Sequence, residues 1–188
     1  MLLRPLCARL AAAGVTANQI TILAAVLSLA EGAALASEPG HAWPLFLLPV
    51  VLFLRMALNA IDGMLAREFH QKSKLGAVLN ELCDVVSDTA LYLPFALIPG
   101  IAPLLVALVV SLGIMTEMAG VVAVQIGASR RYDGPFGKSD RALFFGILAV
   151  VFALGFTPGA WAQALLIFSA ALGLLTIVNR ARAALAEL

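Results

Sequence analysis

The chain has 188 residues, of which 62% are hydrophobic and 12% are charged, and its formal net charge is +1 at pH 7. Soluble domains are usually about 45–50% apolar. The composition and the mean hydropathy of +1.01 therefore exclude an ordinary soluble protein and indicate an integral membrane protein. No basic stripe is present that would bind nucleic acid, so nucleic acid is not expected as a partner.

Apolar stretches long enough to cross a bilayer recur along the chain. A helix needs roughly 17–25 apolar residues to span a hydrocarbon core of about 30 Å, whereas a β-barrel would show short alternating segments. We predict an all-α polytopic membrane protein with six transmembrane helices, forming one domain over residues 1–188. The predicted spans lie near 17–37, 42–66, 75–98, 101–128, 140–157 and 159–180.

The segment 1–14 precedes the first predicted span and combines Arg4 and Arg9 with several leucines. This pattern is typical of a juxtamembrane amphipathic helix that lies along the interface. A signal peptide is the alternative, but its apolar run should end at a cleavage site. Here the polar sequence TANQIT follows, and then a full-length span.

The basic residues predict the orientation, because cytoplasmic loops are enriched in Lys and Arg. With six spans, every one of the twelve Lys and Arg residues except Arg55 lies on one side. We therefore expect both termini and this side of the protein at the cytoplasmic face of the inner membrane. Cys7 and Cys83 fall in the same half without metal-ligand spacing, so they are predicted to be reduced apolar fillers.

The stretch NAIDGMLAREFHQKSKLGAVLNELCD, residues 59–84, is unusually polar for this chain. At about 100° per residue, polar and small residues form one stripe on each of two spans. The short loop EFHQKSK makes those spans antiparallel neighbours, so the stripes can face each other. The first stripe contains Arg55, Asn59, Asp62 and Ala66; the second contains Gly76, Asn80, Asp84 and Ser87, with Glu81 and Asp88 at its margin.

Carboxylate and carboxamide oxygens at this spacing suit a hard cation, Mg²⁺ or Mn²⁺, which often shares its shell with substrate phosphates. The neighbouring small residues leave room for such a ligand. The alternative is that Asp62, Asp84 and Asp88 only neutralise Arg55 and Arg67, since buried charges within spans usually pair. Elsewhere, Glu117 is at a depth that allows either pairing with Arg55 or a place in the cavity for the second substrate, and Glu31 is expected to be a lone polar group near an interface.

The spacing resembles the signature of the CDP-alcohol phosphotransferase family: Asp, two residues, Asp-Gly, two residues, Ala-Arg, eight residues, Gly, three residues, Asp, three residues, Asp. Asp62-Gly63, Ala66-Arg67, Gly76 and Asp84 fit it with every gap correct. GVTANQIT and GPFGKSDRA also resemble family segments. Asn59 and Asn80 replace the first and third Asp, which leaves open whether one or two ions bind and whether the protein is active.

The resemblance implies a site at the cytoplasmic ends of the helices and a homodimer. Asp62 and Asp84, with Asn59 and Asn80 and possible help from Asp88, would hold Mg²⁺ or Mn²⁺ on the diphosphate of a CDP-alcohol lipid such as CDP-diacylglycerol. Asp84 would act as the general base. The residues expected to cradle the cytidine diphosphate are Gly63, Ala66, Arg67 and Gly76.

A second basic group lies on the third cytoplasmic segment and contains Arg130, Arg131, Lys138 and Arg141. Guanidinium and ammonium groups bind phosphates, so we expect a small polyol-phosphate acceptor, with glycerol 3-phosphate preferred and an inositol phosphate possible. The alternative is ordinary loop charge. In the same segment, Ser139 or Asp140 could cap span five.

The leading hypothesis is a metal-dependent enzyme of phospholipid biosynthesis that transfers a phosphatidyl group and releases CMP. A catalytically silent relative that binds CDP-lipid or scaffolds lipid enzymes is the alternative, because two signature aspartates are absent. A transporter gains little support, since the sequence shows no inverted repeat.

Overall fold

A computed structural model describes residues 3–188 as seven α-helices and one short 3-10 helix, and within that range no residue forms a strand. The all-α prediction is therefore confirmed, while the first two residues of the predicted segment 1–14 lie outside the described range. The helices are α1 (Arg4–Ala12), α2 (Ala17–Ser37), α3 (Ala42–Glu68), α4 (Lys74–Tyr92), α5 (Pro103–Gln125), α6 (Lys138–Ala153) and α7 (Ala160–Ala186); the 3-10 turn Leu93–Leu97 follows α4.

Four of these helices, α2, α3, α5 and α7, are long and apolar enough to cross a membrane. Helix α6 has only 16 residues, which corresponds to about 24 Å. The apolar sequence of helix α4 is interrupted by charged residues, including Glu81, Asp84 and Asp88. The chain is an integral membrane protein, but the count of six spans and the interfacial position of α1 stay predictions.

Local hydrogen bonds explain where the helices around the polar stretch begin. Thr16 and Gln19 form a capping box at the start of α2. The Ser73 hydroxyl accepts a bond of 2.9 Å from the Gly76 amide at the start of α4. At the start of α6, the Asp140 carboxylate accepts from the Gly137 amide at 2.8 Å, as one of the two predicted caps.

The helices pack as α2 against α3 and α4, α3 against α6, and α5 against α7. Helices α2 and α4 approach closely, since a Cβ on Gly32 would collide with the Ala90 carbonyl oxygen. In the buried core, the rings of Tyr92 and Phe145 stack with centroids 4.3 Å apart. Large apolar side chains such as Leu104 point outward, as expected of a surface in contact with lipid.

Two buried residues test smaller predictions. Cys7 is fully buried in an apolar cluster with Ile20 and Leu65, so its assignment as an apolar filler is confirmed. Glu31, expected to be a lone polar group near an interface, is buried, and neither of its carboxylate oxygens has a hydrogen-bond partner within the described residues. Its depth relative to the membrane interface stays a prediction. Burial there follows from the close packing of α2, which the sequence of one helix does not reveal.

Candidate active site

Two cavities open beside the polar ends of α3 and α4. The α2–α3–α4 cavity has a volume of about 560 Å³, and its lining includes Thr21, Asn59, Asp62, Gly63, Arg67 and Gly76. The α4–α6–α7 cavity has a volume of about 380 Å³, and its lining includes Asp84, Arg130, Lys138, Asp140 and Arg180. Asn80 lines both cavities, so they adjoin at this residue of α4.

Asp62 lies on the α2–α3–α4 cavity and is only 5% exposed. Its Oδ2 accepts a hydrogen bond of 2.7 Å from the Thr21 hydroxyl of α2. A hydroxyl orients the carboxylate without neutralising it, so the negative charge stays available to a ligand in the cavity.

Asp84 lies on the α4–α6–α7 cavity and has different neighbours. Its Oδ1 accepts from the Lys138 ammonium at 2.5 Å and from the Asn59 amide at 3.2 Å. Arg55 approaches the same oxygen at 3.4 Å and donates to the Asp84 carbonyl at 3.0 Å. The carboxylate is therefore partnered by cations, yet 22% of its side chain stays exposed to the cavity.

Asn59 connects the two stripes that the sequence predicts. It lines the α2–α3–α4 cavity, while its Nδ2 donates to Asp84 on the other helix. The polar faces of α3 and α4 therefore meet, with Asp62 on one cavity and Asp84 on the next. Asn80 borders both cavities and is the remaining carboxamide of this group.

Small residues form much of the α2–α3–α4 cavity. A Cβ on Gly76 would lie 2.7 Å from Asn18 Oδ1 and 3.0 Å from Ser73 Oγ, so a side chain there would displace its neighbours. Gly63 and Ala66 line the same cavity. Arg67 is exposed, and its Nε donates to the Gly63 carbonyl at 3.1 Å. These four predicted nucleotide-binding residues are thus brought together around one opening.

Asp88 and Arg141 belong to a buried ion-pair network. Asp88 Oδ1 pairs with Arg55 at 2.5 Å, and its Oδ2 pairs with Arg141 at 2.9 Å. Arg141 is 1% exposed and also pairs with Glu117 at 2.9 Å. Asp88 therefore has no free oxygen for a metal ion, and Arg141 holds helices together where we expected it to contact substrate. Of the two alternatives for Glu117, pairing with Arg55 is contradicted, because Arg55 pairs with Asp84 and Asp88 instead. Glu117 lines the α4–α6–α7 cavity, as the other alternative has it.

Arg130 lines the α4–α6–α7 cavity but is already paired. Its Nε and Nη2 donate to the two oxygens of Glu81 at 2.8 and 2.6 Å, and its guanidinium lies 4.5 Å from the Tyr132 ring centroid. Partial burial would lower the pKa of Arg130, but the hydrogen bonds and charge of Glu81 outweigh this and raise it. A ligand would have to share Arg130 with Glu81.

Arg180 is the site residue that the sequence did not single out. It is 2% exposed, donates to the Thr116 carbonyl and to the Asp133 carbonyl, and lies 3.5 Å from Glu117. In the sequence it appeared only as one positive charge at the end of the last predicted span. The available signal was that this arginine still falls within the last predicted span and not in the segment after it, since charges within spans usually pair or bind a ligand.

The C-terminal end of α7 contacts the segment between α5 and α6. Glu187 accepts from the Ser129 amide at 3.0 Å, from the Ser129 hydroxyl at 2.7 Å and from Arg131 at 2.7 Å. We call this set of contacts the C-terminal latch. It ties α7 to the segment that carries Arg130.

The donor set allows a test of the expected cation. Two carboxylates and two carboxamides offer the hard oxygens that Mg²⁺ and Mn²⁺ take. Over residues 3–188, no group of three or more His, Cys, Asp or Glu side chains is arranged to hold a metal ion. The residues therefore fit a cation only if substrate oxygens complete its shell, as is usual for Mg²⁺.

Residues 14–178 match the family model described as CDP-alcohol phosphatidyltransferase. The chain belongs to this family. The resemblance drawn from Asp62-Gly63, Ala66-Arg67, Gly76 and Asp84 is therefore confirmed.

Individual relatives of this CDP-alcohol phosphatidyltransferase family member cover most of its length. The inner membrane protein YnbA of Escherichia coli (strain K12) is 49% identical over 187 residues, or 98% of this chain and 91% of that protein. An archaetidylinositol phosphate synthase of Aeropyrum pernix is 31% identical over 143 residues, or 74% of this chain and 71% of that protein.

The fold is also that of a solved enzyme. The phosphatidylinositol phosphate synthase of Mycobacterium tuberculosis, in a crystal structure with CDP-DAG bound, superposes with a TM-score of 0.78 at 23% identity, covering 96% of this chain and 92% of that one. A second crystal structure of that enzyme is in complex with manganese and citrate.

Proposed function

We propose that this protein transfers a phosphatidyl group from a CDP-alcohol lipid, such as CDP-diacylglycerol, to a small polyol phosphate and releases CMP. The observation that carries the proposal is the meeting of the α3 and α4 polar faces beside two adjoining cavities, in a chain of this family. One cavity would take the nucleotide lipid and the other the acceptor. Asp84 lines the second cavity and accepts a hydrogen bond from Asn59, which lines the first.

The α2–α3–α4 cavity is the proposed donor site. Its volume of about 560 Å³ is within the usual range of about 300–1,000 Å³ for small-ligand pockets. Gly63 and Gly76 let phosphates approach the backbone, and Arg67 at the opening offers a guanidinium that can leave the Gly63 carbonyl. Asp62 faces the same space.

Asp84 is the proposed general base. The acceptor hydroxyl would attack the lipid-side phosphorus, and its proton would pass to Asp84. A new P–O bond forms as the phosphoanhydride bond to CMP breaks, with the bonding electrons leaving on CMP. A bound Mg²⁺ or Mn²⁺ would offset the negative charge that develops on the phosphoryl oxygens. Lys138 and Arg55 hold the carboxylate in one orientation.

The α4–α6–α7 cavity is the proposed acceptor site, because Arg130, Lys138 and Arg180 line it. Their donors match phosphate oxygens. Glycerol 3-phosphate is the acceptor preferred from the sequence. Inositol phosphate, the other acceptor expected from the sequence, is supported by the relatives that are archaetidylinositol phosphate or phosphatidylinositol phosphate synthases. An acceptor phosphate would compete with Glu81 and Glu117 for these cations.

We further propose that six helices, α2 to α7, cross the inner membrane, with both termini and the two cavities cytoplasmic. The distribution of Lys and Arg supports this orientation. A homodimer is proposed from the family resemblance alone. Cysteine accessibility at each loop and the mass of the purified protein in detergent would test the two points separately.

The deciding experiment measures CMP release from CDP-diacylglycerol by purified protein with Mn²⁺ or Mg²⁺ and a panel of acceptors. We expect release only when a polyol phosphate and a divalent cation are present. Asp84→Ala should lower the rate by roughly 100-fold or more, the usual contribution of a general base. Glu38→Ala, which removes a carboxylate at the opposite end of α2, is the matched control and should keep the rate.

The alternative function, a silent member that only binds CDP-lipid, is kept because Asn59 and Asn80 replace two acidic residues. It predicts that CDP-diacylglycerol binds while no acceptor releases CMP. That outcome would overturn the proposed transfer reaction.

A further inference from the structure

We infer that the Lys138 ammonium takes the place of a second divalent cation at Asp84, so that the site binds one Mg²⁺ or Mn²⁺, anchored by Asp62. This inference rests on the proposed function, since it concerns the same catalytic centre. It explains how the centre can work with two carboxylates where the family signature has four.

The first observation is the crowding of Asp84 by positive groups. Its Oδ1 lies 2.5 Å from the Lys138 ammonium and 3.4 Å from Arg55. A divalent cation at this oxygen would be within a few ångströms of one full positive charge and near a second, which is strongly unfavourable at low dielectric. The Lys138 ammonium, a fixed monovalent cation, therefore already neutralises Asp84 at the place where a second metal ion would bind.

The second observation is the orientation of Asn59. Its Nδ2, not its carbonyl oxygen, faces Asp84 at 3.2 Å, as required beside an ionised acceptor. An aspartate at this position would place a second carboxylate against Asp84 and would need an added cation between them. The amide removes that need by donating a hydrogen bond.

The third observation is the contrast with Asp62. This carboxylate is 5% exposed, and its side-chain hydrogen bond comes from the neutral Thr21 hydroxyl at 2.7 Å. A buried carboxylate without a cationic partner is costly. A divalent cation in the α2–α3–α4 cavity would supply the missing charge, and the diphosphate of the donor would share that cation.

Lys138 is well placed to serve as the fixed cation. It is the first residue of α6, whose start is held by the bond between Gly137 and Asp140. Its side chain is 31% exposed, so the ammonium also faces the α4–α6–α7 cavity. Lys138 can therefore position Asp84 and still reach the negative charge of a bound substrate.

The test counts manganese ions. Purified full-length protein with CDP-diacylglycerol is dialysed against Mn²⁺, and the bound metal is measured by elemental analysis and electron paramagnetic resonance. We expect one Mn²⁺ per chain with the signal of an isolated ion. Asp62→Ala should lose the ion, whereas Asp84→Ala should retain it.

A combined variant tests the exchange of one cation for another. Asn59→Asp, Asn80→Asp and Lys138→Met together should bind two Mn²⁺ per chain and show spin coupling between them. The matched control replaces Lys138→Met by Lys74→Met, which removes an exposed lysine outside the two cavities, and should stay at one ion. Two coupled ions in that control would show that Lys138 does not replace a cation.

The native protein alone decides the inference if the variants do not fold. Two Mn²⁺ per chain, or none, would overturn it even when CMP release is normal. Conversely, one Mn²⁺ per chain without CMP release would overturn the transfer reaction and leave the ion count intact.

Discussion

The two cavities of this protein are built in opposite ways. The α2–α3–α4 cavity is surrounded by small residues and carboxamides, and its buried carboxylate, Asp62, is held by a hydroxyl. The α4–α6–α7 cavity is surrounded by charged groups that are already paired, as Arg130 is with Glu81 and Lys138 is with Asp84. A ligand entering the first cavity meets open space, whereas a ligand entering the second must exchange with existing ion pairs.

The difference separates two physical tasks. An open cavity with an unpaired negative charge can bind a large anionic ligand through a bridging cation. The affinity for that ligand then depends on the room that the cavity offers. A cavity lined by ion pairs is rigid before the ligand arrives, and it discriminates among ligands by how well they compete with the acidic partners. The comparison predicts that substitutions beside the second cavity cost stability, while those beside the first change ligand binding.

The largest expected effect is on the buried network beside the second cavity. Arg141→Met would leave Asp88 and Glu117 with fewer positive partners in a buried setting, which should lower the free energy of unfolding by about 3–5 kcal/mol. Denaturant unfolding in detergent would measure it. Arg182→Met removes an exposed arginine of α7 and should change stability by less than about 0.5 kcal/mol; equal losses in both variants would contradict the network.

Next in size is the effect of the hydroxyl that holds Asp62. Thr21→Val keeps the shape of the side chain but removes the 2.7 Å bond to Asp62. Loss of a group that orients a ligand should weaken Mn²⁺ binding by roughly 10–100-fold, with little change in stability. Thr89→Val is the control, because Thr89 bonds only a carbonyl of its own helix. An unchanged Mn²⁺ dissociation constant would show that the Thr21 hydroxyl does not orient Asp62 for metal binding.

A smaller effect is expected from narrowing the first cavity. Gly76→Ala places a Cβ 2.7 Å from Asn18 Oδ1, so the methyl group and a displaced Asn18 side chain change the lining of the cavity proposed for the nucleotide. At about 1 kcal/mol, the low end of overpacking costs, the KM for CDP-diacylglycerol should rise roughly fivefold. Gly146→Ala is the control. Its Cβ would lie 3.5 Å from the Leu52 side chain, an ordinary contact, so KM should stay unchanged.

The smallest effect concerns the C-terminal latch. The Ser129 hydrogen bonds lower the pKa of Glu187, so the latch is complete above the ordinary glutamate pKa and weakens as pH falls through the lowered value. The KM for the acceptor should then rise, by up to about twofold for such an exposed contact. Glu187→Gln should remove this pH dependence and Glu38→Gln should not. A native KM that is constant over this range would contradict the effect.

Much of the molecule follows from local sequence. The predicted span 17–37 coincides with α2, Ala17–Ser37, because apolar content and the Thr16 cap are properties of neighbouring residues. The spacing of Asn59 and Asp62, and of Asn80 and Asp84, likewise puts each pair on one helix face whatever surrounds it. These features depend on the 3.6-residue period alone.

The tertiary structure decided which charges meet. Arg141 and Arg180 are both basic residues near helix ends in the sequence, and nothing local shows that they converge on Glu117 from α6 and α7. Such pairings depend on how far each helix is rotated and how closely it packs, which is determined by contacts between distant segments. The sequence by itself therefore determined the helices and the polar faces, and only their packing decided that Asp62 faces open space while Asp84 is paired with Lys138.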